Sequence, residues 1–525
     1  MSRSLVSAAL GVFVLAGLLP LAVMASRVGS DDLAAVFTAR TASLLGRTLA
    51  LGGGTALGAL LLGLPFGFLV ARTDLPGASL WRTLGVVPLL LPPLLIAMTW
   101  AVLWPGLRGA AGTVFLLSLS TYPLVAIFTA RAFERIDAAS EEAALLAGGL
   151  GAVVRMELPL VLPAALTGAT FAFAFAINDF GVPDYVSSVG PKFNVYADEI
   201  KLQWDQVGRT GAAVASSIPL VLVTFAALLL ALRLRRRGAM GSMGTGFRTP
   251  APLALGRWRW PALAFVLAVL GAALVVPIAR LVWEAGAMDR QLGERDGLAA
   301  LGAGFSTLRH EFGVALELAR ADLARSILYS AGAALVCVPV GLVLGHALER
   351  TRARASRLLE ACVILPIAVP ALLFGIGEIA TWNHAATARF YDGGAMATWL
   401  FIGRFSPFAI LVLSGAVAAL PAAGEEAAAL AGAGPIRRLL FVVAPSLGGS
   451  LAASFVLVFV FAMRDLDSAI LVPAANKTAI FRVFNGVHFG RDSYVAALSL
   501  LLVIAILLPG TLWALFARKR LEVLP

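Results

Sequence analysis

The sequence predicts an all-α integral membrane protein with about twelve transmembrane helices, arranged as two parallel six-helix repeats. Three observations lead to this prediction. The 525-residue chain is 60% hydrophobic and only 14% charged, with a mean hydropathy of +0.90, whereas soluble domains are about 45–50% apolar and about 25% charged. Its apolar runs are roughly 20 residues long, the length at which a helix crosses a bilayer. A stretch of the first half recurs in the second half.

Twelve apolar segments are candidates for membrane spans, since a helix satisfies its own backbone hydrogen bonds in lipid. The predicted spans cover residues 5–26, 48–71, 83–104, 112–131, 160–179, 211–233, 260–283, 326–348, 358–380, 402–420, 446–463 and 494–517. The third span carries Pro88, Pro92 and Pro93, and the ninth carries Pro366 and Pro370; these prolines indicate either kinks near a transport path or ordinary packing. For the first segment, a cleaved secretory signal remains an alternative.

The two halves are internal repeats. Residues 47–73 align without a gap on residues 325–351, an offset of 278, and nine of these 27 positions are identical. The identical pairs are Arg47/Arg325, Gly54/Gly332, Ala56/Ala334, Leu57/Leu335, Gly63/Gly341, Leu64/Leu342, Gly67/Gly345, Arg72/Arg350 and Thr73/Thr351. An even number of spans in each half makes the repeats parallel. We therefore predict a first module over 1–235, a basic linker over 236–257 and a second module over 258–525.

The arginines indicate the orientation. The net charge is +11, and the densest basic clusters lie in short segments beside the spans. Placing both termini in the cytoplasm puts the linker and the tail at 518–520 inside, as the positive-inside rule requires. The expected partner of this charge is therefore the lipid bilayer and not nucleic acid. On the outer side, an apolar stripe over residues 297–324 predicts an external or interfacial helix leading into the eighth span.

A short polar pattern occurs between the fourth and fifth spans of each half. One copy reads Glu141-Glu142-Ala143-Ala144-Leu145-Leu146-Ala147-Gly148, and the other reads Glu425-Glu426-Ala427-Ala428-Ala429-Leu430-Ala431-Gly432. Each copy predicts a short helix, because glutamates favour the positive end of the helix dipole and glycine permits a tight exit. Ser140 is the expected N-cap of the first helix. A single copy is a generic helix-turn, but two at matching places predict a docking element.

These segments resemble the EAA motif of ATP-binding-cassette importer permeases. That motif reads Glu-Ala-Ala, three residues, Gly, nine residues, and then Ile-any-Leu-Pro. The second copy, the loop at 424–445, keeps this spacing from Glu426 through Gly432 to Pro445. Valine and alanine replace the Ile and Leu of the pattern. The first copy, the loop at 140–159, ends two residues earlier than the pattern, at Pro159.

The resemblance implies a type I ABC importer permease fold and a set of partners. In that family each EAA loop forms a coupling helix in a groove of an ATPase subunit, and two ATPase copies close around ATP. It thus implies two cytoplasmic ATPases, a periplasmic or extracellular solute-binding protein and a bacterial inner (cytoplasmic) membrane location. It assigns ATPase docking to Glu141, Glu142, Ala143, Gly148, Glu425, Glu426, Ala427 and Gly432.

The sequence indicates a transport subunit and not an enzyme. A phosphate-binding loop needs glycine before its Lys-Thr pair, whereas Asn476 precedes Lys477-Thr478. Neither the histidines nor Cys337 and Cys362 have the spacing of metal ligands. We therefore expect no catalytic residue, metal or cofactor on this chain, with ATP and Mg²⁺ bound by the partner ATPase.

Charged residues at the outer ends of two equivalent spans form a second candidate site. Asp179 follows the fifth span, and Arg464, Asp465 and Asp467 follow the eleventh. They are either part of an external gate or binding-protein surface, or locally paired anchors. Glu378 joins this set because a charged residue within a span is costly.

The fusion of two modules in one chain is similar to the ferric-iron permease family. The segments Asn178-Asp179-Phe180-Gly181 and Arg464-Asp465-Leu466 look like matching segments of that group. The resemblance implies iron(III) as the substrate, with thiamine, phosphonate and polyamine as alternatives. The alternative of another class is a secondary transporter of the twelve-helix facilitator type, which shares the six-plus-six plan. The Asp-Arg-x-Gly-Arg-Arg core of that superfamily does not follow the second span.

Overall fold

The computed structural model describes residues 3–36, 38–205, 210–238, 248–351, 353–471, 473, 476–488 and 492–517. The predicted basic tail at 518–520 and residues 239–247 of the predicted linker lie outside these ranges. Within the described residues the chain is helical, with one isolated bridge between Thr73 and Leu253. The all-α prediction is confirmed.

The described residues contain nine candidate membrane spans by length and apolar character, or twelve if each bent pair of helices is one span. Nine helices pass alone, and three more pairs pass together although each pair is bent at a short break. In chain order we number them span 1, Arg3–Ala25; span 2, Ala39–Arg72; span 3, Ala78–Leu90 with Pro93–Leu103; span 4, Gly109–Phe133; span 5, Gly151–Asn178; span 6, Thr210–Leu234; span 7, Gly256–Ala285; span 8, Gly297–Arg350; span 9, Ala355–Ala368 with Ala371–Trp382; span 10, Gly394–Ala418; span 11, Pro435–Ser446 with Gly448–Met463; and span 12, Asp492–Trp513. Shorter helices lie between them, among them Ser30–Val36, Gly181–Val189, Tyr196–Asp205, Met288–Glu294, Ala423–Leu430, Leu466–Ala469 and Ala479–His488.

The bent spans break at or near prolines. Span 3 turns by 93° at Pro92 and span 9 by 101° at Pro370, which are equivalent positions of the repeat. Proline lacks the backbone N–H of a helix and drives the preceding residue out of the helical region. The prolines of these two spans thus coincide with kinks, and a role of the kinks in a transport path stays a prediction. Span 11 also bends, by 82° at Leu447 just after Pro445, which the sequence analysis did not predict.

Span 8 is a single helix of 54 residues, Gly297–Arg350. An external or interfacial helix over 297–324 was predicted to lead into a span over 326–348, and the two form one helix without a break. The junction at 317–325 contains only alanine, leucine, arginine, glutamate and aspartate, most of which are strong helix formers. Such a helix is about 80 Å long, far more than the roughly 30 Å of a hydrocarbon core.

The contacts divide the chain into two compact units. Unit 1 contains Met1–Ala34, Gln203–Ser217 and Leu281–Pro525, and unit 2 contains Ala35–Leu202 and Ile218–Arg280. These units do not follow the sequence halves. Span 1 belongs to the unit that holds spans 8 to 12, and most of span 7 belongs to the unit that holds spans 2 to 5. The module boundaries given above describe the sequence repeat and stay a prediction.

Span 1 packs closely within unit 1. A Cβ atom on Gly403 of span 10 would lie 2.0 Å from the carbonyl oxygen of Ala16, so these two backbones touch directly. A Cβ on Gly377 of span 9 would lie 2.9 Å from Cε of Met24 and 3.0 Å from the carbonyl oxygen of Pro20. Phe13 is fully buried. Small residues thus allow span 1 to approach spans 9 and 10.

Span 7 packs within unit 2. Val266 and Leu270 of span 7 are buried in a cluster with Phe66 and Leu69 of span 2. The indole N–H of Trp100 in span 3 donates to the carbonyl oxygen of Ala272, at 2.9 Å.

Glycines that are identical in the two repeats lie at the same helix crossing in each unit. Both members of a Gly-x-x-x-Gly pair in span 2 face span 4, and their equivalents in span 8 face span 10. A Cβ atom would approach the neighbouring backbone to 2.5 Å at Gly63, 2.6 Å at Gly67, 2.9 Å at Gly341 and 2.8 Å at Gly345. Only glycine permits this contact between backbones.

Replacing Gly67 with leucine is expected to destabilise the protein by at least about 1–3 kcal/mol, because span 4 occupies the space that the side chain needs. The matched control is Gly53→Leu in the same helix, where a Cβ atom has no neighbour within 4 Å. The measurement is the thermal unfolding midpoint of each variant in detergent. Equal midpoints for the two variants would show that the crossing does not depend on glycine.

Candidate functional site

The first polar pattern forms the start of a helix that breaks at its glycines. The helix runs from Ala138, and its backbone leaves the helical region at Gly148 (φ −172°, ψ 22°) and Gly149 (φ 65°, ψ −158°). We call residues 138–147 the first docking helix. Gly148 has extended backbone that any residue adopts, so the position that favours glycine is Gly149, one residue after the motif glycine.

Ser140 does not cap this helix, so that expectation was wrong. The helix begins two residues earlier, at Ala138, which places Ser140 inside the first turn. Asp137 precedes the helix but makes no capping hydrogen bond with its side chain. Its carboxylate oxygen Oδ1 accepts instead from the backbone N–H of Arg248 in the linker, at 2.9 Å.

The two glutamates of the first loop have different environments. Glu141 is only 5% exposed, and its carboxylate accepts a hydrogen bond from the guanidinium of Arg72, which is 3% exposed. Glu157 Oε1 lies 3.7 Å from Nη2 of the same arginine. The side chain of Glu142 is 60% exposed, and its Oε2 lies 3.3 Å from Nη2 of Arg248. Glu141 therefore anchors the docking helix, and Glu142 remains accessible.

The second polar pattern forms a helix of its own, Ala423–Leu430, which we call the second docking helix. Glu425 Oε1 accepts from Nε of Arg350 at 3.1 Å, and its Oε2 lies 2.7 Å from Nε2 of His346. The next glutamate, Glu426, is exposed. The division between an anchoring and an accessible glutamate is thus the same in both loops.

The arginine of each anchor comes from an equivalent position of the repeat. Arg72 is the last residue of span 2, and Arg350 is the last residue of span 8. Each contacts the first glutamate of its loop, Glu141 or Glu425. The sequence analysis did not select these arginines as functional, although they are among the nine identical positions of the repeat.

Glu425 is held in its ionised form. Burial raises the pKa of its carboxyl group, but hydrogen bonds and charges from His346 and Arg350 lower it by more, so the pKa lies below its ordinary value. A depressed pKa stabilises the folded form at pH above the ordinary glutamate value, and that stabilisation is lost as the pH falls through the lowered value. The second anchor is therefore intact at neutral pH.

The second docking helix ends in a Schellman turn at Gly432. The backbone N–H of Gly432 donates to the carbonyl of Ala429 at 3.0 Å, and that of Ala433 to the carbonyl of Ala428 at 2.9 Å. Gly432 has a φ of 82°, in the left-handed region that favours glycine. The turn leads the chain into span 11 at Pro435.

Each docking helix presents a leucine to solvent. Leu146 and Leu430 lie 284 residues apart at equivalent positions, and both are 91% exposed. Ala143 and Ala427 are also exposed. Each docking helix thus exposes a leucine and an alanine at equivalent positions of the repeat.

Asp179 and its equivalent Asp465 both have partners within their own unit. Oδ1 of Asp179 accepts from the backbone N–H of Val182 at 2.9 Å, at the start of the helix Gly181–Val189. Asp465 is buried, and its Oδ2 lies 3.6 Å from Nε of Arg404 in span 10. Both acids are thus engaged in local structure.

The other predicted gate residues belong to unit 1. The guanidinium of Arg464 lies 5.0 Å from the ring centre of Phe461, a cation–π distance. Asp467 is in the first turn of Leu466–Ala469, which packs against the half of span 9 that carries Glu378. Glu378 is fully buried, and neither of its carboxylate oxygens has a hydrogen-bond partner.

The family described as binding-protein-dependent transport system inner membrane component matches this chain twice, over residues 63–238 and over residues 337–522. The chain belongs to this family. It carries two copies of the permease module, and with its helical architecture it is consistent with the type I importer permease fold. Members of the family are permease subunits of ABC importers, without an ATPase site of their own, that act with ATPase and binding-protein partners.

Relatives of this permease differ in the substrate that they are named for. A probable molybdenum ABC transporter permease of Haloferax volcanii is 29% identical over 236 residues, 41% of this chain and 83% of the relative. The molybdenum transport system permease protein ModB of Escherichia coli is 28% identical over 195 residues, 33% of this chain and 85% of the relative. An Fe(3+)-transport system permease protein of Haemophilus influenzae, FbpB 2, is 22% identical over 470 residues, 88% of this chain and 87% of the relative.

Replacing Glu141 with alanine is expected to destabilise this permease, because Arg72 would stay buried without its nearest carboxylate. Breaking a buried pair costs up to about 3–5 kcal/mol, and Glu157 offsets part of this loss. Glu142→Ala removes a surface pair and should cost less than about 1 kcal/mol. The comparison is made by thermal unfolding and by limited proteolysis of the first loop. Equal effects of the two substitutions would contradict the anchor.

Proposed function

We propose that this chain is the transmembrane subunit of an iron(III) importer, driven by two copies of a cytoplasmic ATPase. Membership of the permease family supports an import function in general terms. The proposal of an ATPase partner is supported mainly by the two equivalent docking helices. Each is anchored at its first glutamate and exposes a leucine.

The anchors provide a route from the docking helices to the spans. An ATPase bound over Leu146 and Leu430 would move each docking helix together with the arginine that holds it. Those arginines end spans 2 and 8, so movement of the ATPases would reach the spans directly. Closure of the ATPases around ATP then favours one of two permease states, since a ligand shifts an equilibrium by binding one state better. Glu142 and Glu426 are accessible to basic groups on the ATPases.

The arginine distribution supports a location in a bacterial inner membrane, with the docking helices and both termini in the cytoplasm. A solute-binding protein would then approach from the opposite side. In this arrangement the segments that carry Asp179 and Asp465 lie on the side of the binding protein. Their local pairing favours a structural role in holding that surface.

Iron(III) is the proposed substrate because the named iron permease is similar over both modules of this chain. The described residues hold no group of three or more histidine, cysteine, aspartate or glutamate side chains that could bind a metal ion. This fits transient passage of the ion, with the binding protein selecting it.

Molybdate is a second candidate. It is favoured by the higher identities of the molybdenum permeases, 29% and 28%, although these relatives cover only 41% and 33% of the chain. Both candidates use the same docking arrangement, so they differ only in the solute that is delivered.

Replacing both docking leucines, Leu146→Asp with Leu430→Asp, is expected to abolish copurification of the ATPase and ATP-dependent uptake. A charge at each exposed leucine would have to be desolvated in the ATPase groove. The matched control is Leu298→Asp, which changes an 87% exposed leucine at the start of span 8. Retained copurification in the double variant would refute docking through these helices.

The substrate is tested by uptake of radiolabelled iron(III) and molybdate in cells that lack this chain. We expect the normal chain to restore iron uptake and to leave molybdate uptake unchanged. A chain with Glu426→Arg should restore neither, because the reversed charge opposes docking. Restored molybdate uptake alone would transfer the assignment to molybdate, and no restoration of either solute would reject both.

A further inference from the structure

Residues 248–255 of the linker form an extended strap across the first docking site. The strap hydrogen-bonds to the segment after span 2 and to the start of the first docking helix. Its bonds are Arg248 N–H to Asp137 Oδ1 (2.9 Å), Ala138 N–H to Arg248 O (2.8 Å), Arg72 Nη1–H to Ala251 O (2.7 Å), Leu253 N–H to Arg72 O (2.8 Å), Asp74 N–H to Leu253 O (3.1 Å) and Leu255 N–H to Asp74 Oδ1 (2.9 Å).

The sequence of the strap explains its extended form. Pro250 and Pro252 fix their own φ angles and disfavour helix for the residues before them. Because they lack backbone N–H groups, neither adds a donor that would need a partner. The donors at Arg248, Leu253 and Leu255 are all used in the bonds to the docking site. The strap therefore loses little conformational entropy when it binds.

The strap accepts a hydrogen bond from the arginine that anchors the first docking helix, and the arginine that anchors the second docking helix donates to its own loop instead. Arg72 donates to the linker carbonyl of Ala251, whereas Arg350 donates to the carbonyl of Leu420, at 3.0 Å, in its own loop. The ion pair of Arg248 with Glu142 also links the strap to the accessible glutamate.

The strap leads directly into span 7. Gly256, with a φ of 51°, begins that span, and the first buried residues of the span pack on span 2 within unit 2. The strap therefore connects the docking helix to spans 2 and 7, both of which contribute to one buried cluster of this unit.

We propose that the strap, residues 248–255, is a positioning element of the first docking site that fixes the docking helix and transmits its displacement to span 7. The transmission rests on the proposed function, whereas the fixing of the helix does not. The linker of this permease then positions the first docking helix, in addition to connecting the two modules.

The positioning is tested by hydrogen exchange of the full chain in lipid nanodiscs. The variant Asp74→Ala with Asp137→Ala removes both side-chain acceptors of the strap, and Asp74→Asn with Asp137→Asn keeps an acceptor oxygen at each place. We expect amides of residues 137–147 to exchange at least about fivefold faster in the alanine variant, from the loss of two net hydrogen bonds. The asparagine variant should match the normal chain. Unchanged exchange in the alanine variant would overturn the proposal.

The transmission is tested with the complex of this chain and its ATPase in liposomes. The alanine variant should copurify with the ATPase as the normal chain does, but should transport several-fold less solute for each ATP hydrolysed. The asparagine variant should restore the ratio of solute transported to ATP hydrolysed. A general loss of stability would instead lower copurification together with transport. Equal ratios in the alanine and asparagine variants would overturn transmission through the strap. Failure of the normal chain to bind any ATPase would refute the proposed function and transmission together, while the exchange experiment alone decides the positioning.

Discussion

The pair of arginine and glutamate at the base of each docking helix is the interaction on which the architecture of the site depends. Arg72 and Glu141 are both almost completely buried, and an unpaired charge in such a place costs several kcal/mol. The docking helix therefore cannot separate from span 2 without a large penalty. In unit 1, Arg350 and Glu425 make the equivalent contact with span 8, but this pair is partly exposed and its loss would cost less. A displacement of the first docking helix would therefore act on span 2, and a displacement of the second on span 8.

The two repeats share geometry more closely than they share chemistry. Near the start of span 2 and in the middle of span 8, Thr48 and Ser326 accept a hydrogen bond from the first amide of a short helix, that of Tyr196 or Ala479. The sequence alignment places these two hydroxyls at one position. The contacts at the docking end differ between the units. In unit 2, Arg72 lies near a second carboxylate, Glu157, and donates to the linker carbonyl of Ala251. In unit 1, His346 contacts Glu425, and Arg350 donates to the carbonyl of Leu420. The anchoring arginine is what remains common to both.

The features that could be predicted from the sequence are those with a local cause. Apolar runs became spans because a helix in lipid must satisfy its own backbone, and prolines became kinks because they remove a donor. The partners of Arg72 could not be predicted, because they meet only when distant segments fold together. Ser140 was misassigned because the helix begins two residues earlier, at Ala138. The sequence predicted helix on both sides of residue 325 but not whether a break separates the two segments, since an apolar stripe does not reveal where a helix ends.

Span 1 belongs to the unit of spans 8 to 12, and most of span 7 belongs to the unit of spans 2 to 5. This arrangement affects the order in which the permease assembles during synthesis. All of unit 2 has been synthesised by Arg280. Unit 1 begins with the first residues of the chain but packs them against spans 9 and 10, which the ribosome produces much later. Span 1 must therefore wait in the bilayer with the face that carries Phe13, Ala16 and Met24 uncovered until spans 9 and 10 are made. It enters the membrane well before the helices against which it packs.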